Sequence, residues 1–374
     1  MKSSGARLIV AASEASADLL YTTNFFVPDE MIWFEHKGKT HAVLSPLEID
    51  RARATASVDI FIAADVVMNK LRQGDMRKKI TTADVLVEVL TRKAIKQVAV
   101  PAAFPLHYAR VLEKAKIQVQ VIEPFFPERE IKSALEIAKI TVAQRQAEVG
   151  LSRALEVLKA ATITKTKGLK WSGVFLTSEI LRGEIDAAVI KAGGLPAHTI
   201  VAGGKQGCDP HERGYGPLKA HQSIILDIFP RDQQTGYFGD LSRSVVKGKP
   251  SEALRKLHST VAKGQQLVLD QMREGVDGLR LHDEVKDFFK KEGYPTEQRK
   301  SRWVGFFHGT GHSLGLEIHE ASRFGAGRFK AGQIMTVEPG LYYPEIGGVR
   351  IEDLVVIRKK GIKNLTLAPD VFEV

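Results

Sequence analysis

Residues 333–357 run QIMTVEPGLYYPEIGGVRIEDLVVI, two apolar β-rich runs that each carry an acid. Glu338 closes the first strand before Pro339-Gly340, and Glu352 sits in the strand that follows. Residues 223–246, SIILDIFPRDQQTGYFGDLSRSVV, repeat the design, with Asp227 inside one apolar strand and Asp240 inside the next, beyond a turn at 233–236. Acids so placed face each other across a hairpin. Burying a lone ionised carboxylate is costly and burying four that repel one another costs more, so the protons stay on or cations sit nearby. Two divalent metals would neutralise them. Residues 308–320, HGTGHSLGLEIHE, offer the imidazoles of His308, His312 and His319. Glycines at 309, 311 and 315 make this a loop entering a strand, not the helix on which two zinc-binding histidines would sit one turn apart. Oxygen-rich ligation with one imidazole suits Mn²⁺, Co²⁺, Fe²⁺ or Zn²⁺ and favours a two-metal site.

Outward from these motifs, the chain has 374 residues, room for two domains. From Leu8 to Glu123 short β-rich runs (LIVAA, MIWFE, HAVLS, KQVAV, IQVQVIE) alternate with helical ones (ADVLVEVLTRKAI, HYARVLEKA), an α/β domain with a mixed sheet. Residues 123–129, EPFFPER, cannot continue a helix or a central strand, which places the boundary there. Residues 131–158 then predict a long amphipathic helix, frayed or bent near Gly150, and residues 176–192 a second one capped by Thr177 or Ser178. Strands follow around 198–202, 223–229 and 237–246, helices over 251–274 and 281–292, and a strand-rich stretch over 305–357. Strand, helix and hairpin recur in two halves of this region, each half ending in a hairpin with two acids.

In this order and with these neighbours, Asp227, Asp240, His312, Glu338 and Glu352 resemble the five metal ligands of the pita-bread metallopeptidases, the family of prolidase, Xaa-Pro aminopeptidase and methionine aminopeptidase. GHSLGLEIHE, TVEPGLYYP and GGVRIED are most similar to the prolidase and Xaa-Pro aminopeptidase branch. EREIKSALEIAKI resembles the start of that branch's catalytic domain, and DLLYTTNFFVPD its creatinase-type N-terminal domain, so the resemblance covers nearly the whole chain. It implies an α+β fold: a pita-bread catalytic domain over 131–374 behind a smaller α/β domain over 1–130. It also implies a dinuclear exopeptidase that uses a metal-bridging hydroxide to cleave after an N-terminal residue, with proline the expected next residue, as aminopeptidase or dipeptidase. Asp240 and Glu352 would bridge two ions, Mn²⁺ or Co²⁺ ahead of Zn²⁺ or Fe²⁺; Asp227 would bind one of them, His312 and Glu338 the other. Glu338 resembles the family's proton carrier, and His211, His308 and His319 its further catalytic histidines. Arg350 projects on the face of Glu352 and could pair with a metal or substrate carboxylate. Phe229 and Tyr237 are candidate pocket residues; His198 and His221 match no motif and read as structural.

The hairpin from Asp227 to Asp240 is longer and bulkier than in most relatives, which bears on dipeptide and proline preference without touching the ligands. A net charge of +10 raises nucleic acid as a partner. The charge is spread thinly, however, and the densest run, 72–79 (RQGDMRKK), contains an acid, so neither nucleic acid nor membrane is expected. The single cysteine, Cys208, excludes an intrachain disulfide and a Cys-rich zinc module and points to the cytoplasm. No signal peptide or apolar span is evident. The resemblance implies a homodimer acting on peptides or dipeptides. The competing reading is a non-peptidase member of the fold, a binding or chaperone protein. Creatinase-like chemistry is disfavoured by the five ligands, and a methionine aminopeptidase by the long N-terminal domain.

Overall fold

A computed structural model of the protein describes residues 5–75 and 77–374; Lys2 and Met76, which belong to the N-terminal and basic-run readings, lie outside the described residues. The chain divides into two compact units, Met1–Arg129 and Glu130–Val374.

The first unit runs β1 (Ala6–Ala11), α1 (Ala17–Thr23), β2 (Met31–His36), β3 (Lys39–Leu44), α2 (Ile49–Thr55), β4 (Ile60–Ala63), α3 (Ala64–Arg72), α4 (Thr82–Arg92), β5 (Gln97–Pro101), α5 (Leu106–Lys114) and β6 (Gln118–Ile122). Its sheet has the order β4-β3-β2-β1-β5-β6, antiparallel from β1 through β3 and parallel at both margins. Side chains alternate along each strand. Leu8, Val10, Ile32 and Phe34 therefore join one core with Leu86, Leu90 and Leu112 of α4 and α5, while Ile9, Met31 and Trp33 join a second with Leu19 of α1 and Ile49 of α2. Burial on both faces accounts for the unbroken apolar run in β1. The elements not foreseen, α1 to α3 and β4, are at most nine residues long, too short for a 3.6-residue period to stand out. The basic run 72–79 begins at the end of α3, and its residues 73–75 and 77–79 are exposed.

The second unit holds α6 (Ala134–Ala160), α7 (Ser178–Lys191), α8 (Glu252–Gln271) and α9 (Gly278–Lys291). A capping box between Ser133 and Glu136 starts α6, and Thr177 caps α7. The long helix expected over 131–158 is present as α6, which runs through Gly150 without the fraying expected there. A Cβ there would lie 2.9 Å from the Val189 side chain, so the glycine serves the close contact with α7 and not a helix end. One core joins α6 and α7 to the three-stranded sheet Ile200–Gly203, Ser223–Ile228 and Leu241–Val246. A second joins α8 and α9 to Ile334–Val337, Gly340–Tyr343, Gly347–Arg350 and Asp353–Ile357. Each half of the unit is thus a helix pair laid on strands. No helix among the described residues is long and apolar enough to cross a membrane.

Candidate metal centre

Asp227 projects from the strand Ser223–Ile228, where its register partner is Ser242. Asp240 lies just ahead of the strand Leu241–Val246, not inside it, and shares by alternation the face of Ser242 and Asp227. Glu338 follows the last residue of Ile334–Val337. Glu352 also departs from its expected place: it occupies the break between Gly347–Arg350 and Asp353–Ile357. There its N–H donates to the Ser242 carbonyl at 3.0 Å, joining the two halves of the unit. His312 is fixed by paired bonds with Thr336, its N–H to the Thr336 hydroxyl at 3.0 Å and the Thr336 N–H to its carbonyl at 2.8 Å. This approach requires Gly311, because a Cβ there would lie 2.0 Å from the Thr336 carbonyl oxygen.

These elements bring the five side chains together. One ligand atom each from Asp240, His312 and Glu352 falls within a 4.8 Å cluster. His312 Nε2 is 3.4 Å from Glu338 Oε1 and 3.7 Å from Asp240 Oδ2. Neighbours occupy only part of the carboxylate oxygens. The Ser242 hydroxyl donates to Glu352 Oε2 at 2.9 Å, the Thr336 hydroxyl to Glu338 Oε1 at 3.2 Å, and Arg350 Nη2 to Asp227 Oδ2 at 2.5 Å. Asp227 Oδ1 is buried and has no hydrogen-bond partner among the described residues. A buried orphan oxygen beside three more acids and an imidazole fits divalent cations, which would satisfy the lone pairs that the protein leaves open.

The electrostatics agree. Burial, and then repulsion from Glu352, Asp227 and Glu338, push the Asp240 carboxyl well above the usual range. Burial and repulsion from Glu338 and Asp227 do the same to Glu352, and burial lifts Glu338 to about 7 against the pull of Arg350. Burial lowers His312 to about 4, leaving a neutral imidazole with free lone-pair capacity. For the metal-free protein the sign follows from linkage. An acid whose folded pKa is raised holds its proton more tightly when folded, so stability falls as pH rises from the unfolded value through the folded one. Histidines held below their ordinary range by burial, His282, His308, His312 and His319 among them, act in the opposite direction as pH rises through 6.5. The acids are therefore read against a variant: between pH 5.5 and pH 8 chelator-treated wild type should lose melting temperature relative to Glu352→Gln, and added Mn²⁺ should recover more of it at pH 8. A difference between the two that does not change over this window would show that the acids are not buried together.

Above the cluster opens a cavity of about 990 Å³ lined by all five side chains, by His211, His308, His319 and Arg350, and by Phe229. His211 and His319 are exposed on its wall. His308, lowered to about 3 by burial and then by Arg350, sets Nε2 2.8 Å from the Tyr342 hydroxyl. Tyr237 does not reach the cavity: it is buried beside α6, where its hydroxyl donates to Glu136 Oε1 at 3.1 Å. The longer hairpin folds Tyr237 inward while Phe229 faces the cavity. His198 and His221 are absent from its lining, and the thiol of buried Cys208 is pushed up to about 12 by its burial. Sequence reasoning missed three lining or bridging residues. Tyr342 receives a bond from Arg350 Nη1 at 3.2 Å, and alternation along the 340–350 hairpin, which sets it on the face of Arg350, was the available signal. Arg323 and His282 also line the cavity, and no local pattern marks either.

Comparison with known proteins adds the relatives. Residues 138–359 match the model described as metallopeptidase family M24. The chain is 32% identical over 172 residues to an Xaa-Pro dipeptidase of Pyrococcus furiosus, a stretch covering 45% of this chain and 47% of that protein. It is 29% identical over 284 residues to an Xaa-Pro dipeptidase of Pyrococcus horikoshii, covering 73% and 74%. The chain thus spans about half the length of the first relative and about three quarters of the second. Among solved structures, an X-Pro aminopeptidase from Thermotoga maritima superposes with a TM-score of 0.82 at 23% identity over 99% of this chain and 97% of the other. That likeness establishes the α+β pita-bread fold with a smaller N-terminal domain.

Proposed function

This chain belongs to metallopeptidase family M24, and from that membership we propose that it is a dinuclear exopeptidase cleaving after the N-terminal residue of Xaa-Pro peptides. The observation that carries the reading is the convergence of Asp227, Asp240, His312, Glu338 and Glu352 on one cavity, with an orphaned Asp227 oxygen among them. These side chains would hold two divalent ions, Mn²⁺ or Co²⁺. When bound, such ions supply Lewis acidity toward the peptide carbonyl and a nucleophile at neutral pH.

The chain's own residues do the rest. Glu338 has one oxygen held by Thr336, and its other oxygen is free to take a proton from the attacking water and return it to the leaving nitrogen. His319, lowered by the partial burial of its ring and exposed at the cavity wall, is a neutral group placed to hydrogen-bond the peptide carbonyl as charge develops on it. Neutral His308, in contrast, donates from Nδ1 to the Gly309 carbonyl at 2.8 Å and accepts at Nε2 from the Tyr342 hydroxyl at 2.8 Å, so it positions Tyr342. Arg350 is committed to Asp227 and Tyr342, so it orients the carboxylate and does not take substrate. Arg323 makes no ion pair or side-chain hydrogen bond among the described residues, which favours a substrate whose free carboxylate lies near the scissile bond, a dipeptide. A homodimer in the cytoplasm completes the proposal.

The test compares turnover of Ala-Pro with Ala-Pro-Ala after loading with Mn²⁺ or Co²⁺ and elemental analysis of the same sample. Two ions per chain, and faster hydrolysis of the dipeptide, are expected. Sites that stay empty with metal supplied would favour the binding-protein alternative, and full sites without turnover of either peptide would end the exopeptidase reading.

A further inference from the structure

Helix α9 contributes two residues to the cavity wall, Leu279 and His282, and neither belongs to the centre described above. The start of this helix packs on the segment around Phe324, since a Cβ at Gly278 would lie 2.3 Å from the Phe324 carbonyl oxygen. Leu279, Phe324 and Ala326 line the cavity as apolar groups, and His282 brings an imidazole to the same lining. Its ring packs 5.3 Å from that of Phe306, and its Nδ1 lies 2.9 Å from the Thr310 hydroxyl oxygen.

The hydrogen bond settles which way the ring works. Thr310 is wholly buried, and its hydroxyl finds no other partner among the described residues. A buried donor left unpaired costs about 1–3 kcal/mol, so the hydroxyl gives its proton to Nδ1. The ring proton then sits on Nε2. Nε2 has no hydrogen bond among the described residues and is not among the sealed, partnerless atoms, so it is open to the cavity. Burial, and then nearby Lys286, lower the imidazole below its ordinary range, in keeping with a neutral ring at pH 7.

We propose that His282 is a specificity-determining residue whose Nε2–H donates a hydrogen bond to an acceptor oxygen on a substrate side chain, so that peptides bearing a hydroxyl or amide there are preferred over their apolar isosteres. The proposal rests on the exopeptidase reading only in taking the ligand to be a peptide. A site built to pair a polar substrate group discriminates against the analogue that lacks it, whereas a purely apolar wall does not.

The experiment uses matched peptides: Thr-Pro against Val-Pro for the first residue, and Ala-hydroxyproline against Ala-Pro for the second. Wild type should favour the hydroxylated member of at least one pair by about tenfold, the yield of one neutral hydrogen bond. His282→Leu should erase that ratio, the hydroxylated member losing about tenfold more kcat/KM than the apolar one. His282→Gln, which returns an amide N–H near the Nε2 position, should restore the ratio; His282→Asn, which can keep only the bond to Thr310, should not. Equal losses on both members in His282→Leu would reduce the residue to a support for Thr310 and overturn the proposal, as would a wild type without preference. Calorimetric binding of the same pairs to chelator-treated protein reads the ratio without turnover. If no peptide is hydrolysed, a binding preference lost in His282→Leu still upholds His282 while the exopeptidase reading fails, and absence of any binding preference rejects it.

Discussion

Glu352→Gln should cost more than about 100-fold in peptide turnover, the range for residues that merely orient a metal ligand, and should also raise the melting temperature of the chelator-treated protein at pH 8. The two effects share one cause. Glu352 is 2% exposed and is raised by burial and by the charges of Glu338 and Asp227. Its negative charge is of use only when a cation sits beside it; without one it is a buried repulsion. Glutamine keeps the shape and can still accept from the Ser242 hydroxyl, so packing is preserved while one charge leaves the cluster. The gain should be several degrees, at roughly 2–4 °C per kcal/mol for a unit of this size. Scanning calorimetry with and without Mn²⁺, beside elemental analysis, checks it. A variant that retains turnover would remove Glu352 from the centre, and one that is less stable without metal would show the carboxylate to be structural.

The second large effect lies away from the cluster. Lys132 and Glu320 form an ion pair at 2.5 Å with side chains 2% and 6% exposed. Glu320 Oε1 also accepts from the Leu316 N–H, and the Glu320 N–H donates to the Ser313 carbonyl, so the pair ties the segment before α6 to the loop that carries His312 and His319. Removing one partner of such a pair strands a buried charge and typically costs about 3–5 kcal/mol. Lys132→Met should therefore cost that much in urea unfolding, and the loosened loop should lower turnover as well. Adding Glu320→Gln should recover a good part of the loss, because the carboxylate that faced Lys132 is then a neutral amide. A loss below about 1 kcal/mol, the ordinary value of an exposed pair, would contradict the burial argument.

The difference between these two sites explains what the sequence made legible. An acid within an apolar run is conspicuous: Asp227 in SIILDI and Glu352 in GGVRIED contradict their surroundings, and retained protons or nearby cations are what resolve the contradiction. Lys132 and Glu320 sit in ordinary polar contexts, and nothing local couples residues 188 positions apart. Tyr342 was hidden inside an apolar run and His282 on an amphipathic helix face, where a polar residue excites no notice. Strand ends were the weakest reading, since Asp240 and Glu352 fall at the breaks where regular pairing stops. That is sensible for groups that must turn toward a shared centre instead of a neighbouring strand. Gly150 shows a related limit: a glycine in a helix reads as a point of fraying or bending until the partner helix that needs its missing Cβ is known.

The seam at Ser242 and Glu352 also bears on how the catalytic unit folds. The bond from the Ser242 hydroxyl to Glu352 closes a loop of 110 residues, and that from Arg350 to Asp227 one of 123. Contacts so distant along the chain must bear the entropy of loop closure before they contribute anything, so each half, with its own helix pair and core, is placed to condense first. Asp227 and Asp240 come from one half and His312, Glu338 and Glu352 from the other, so the full set is complete only once the halves dock. Cations held by that completed set would leave the rate of folding as it is and slow the reverse reaction, so unfolding rates, and not folding rates, should respond to added Mn²⁺.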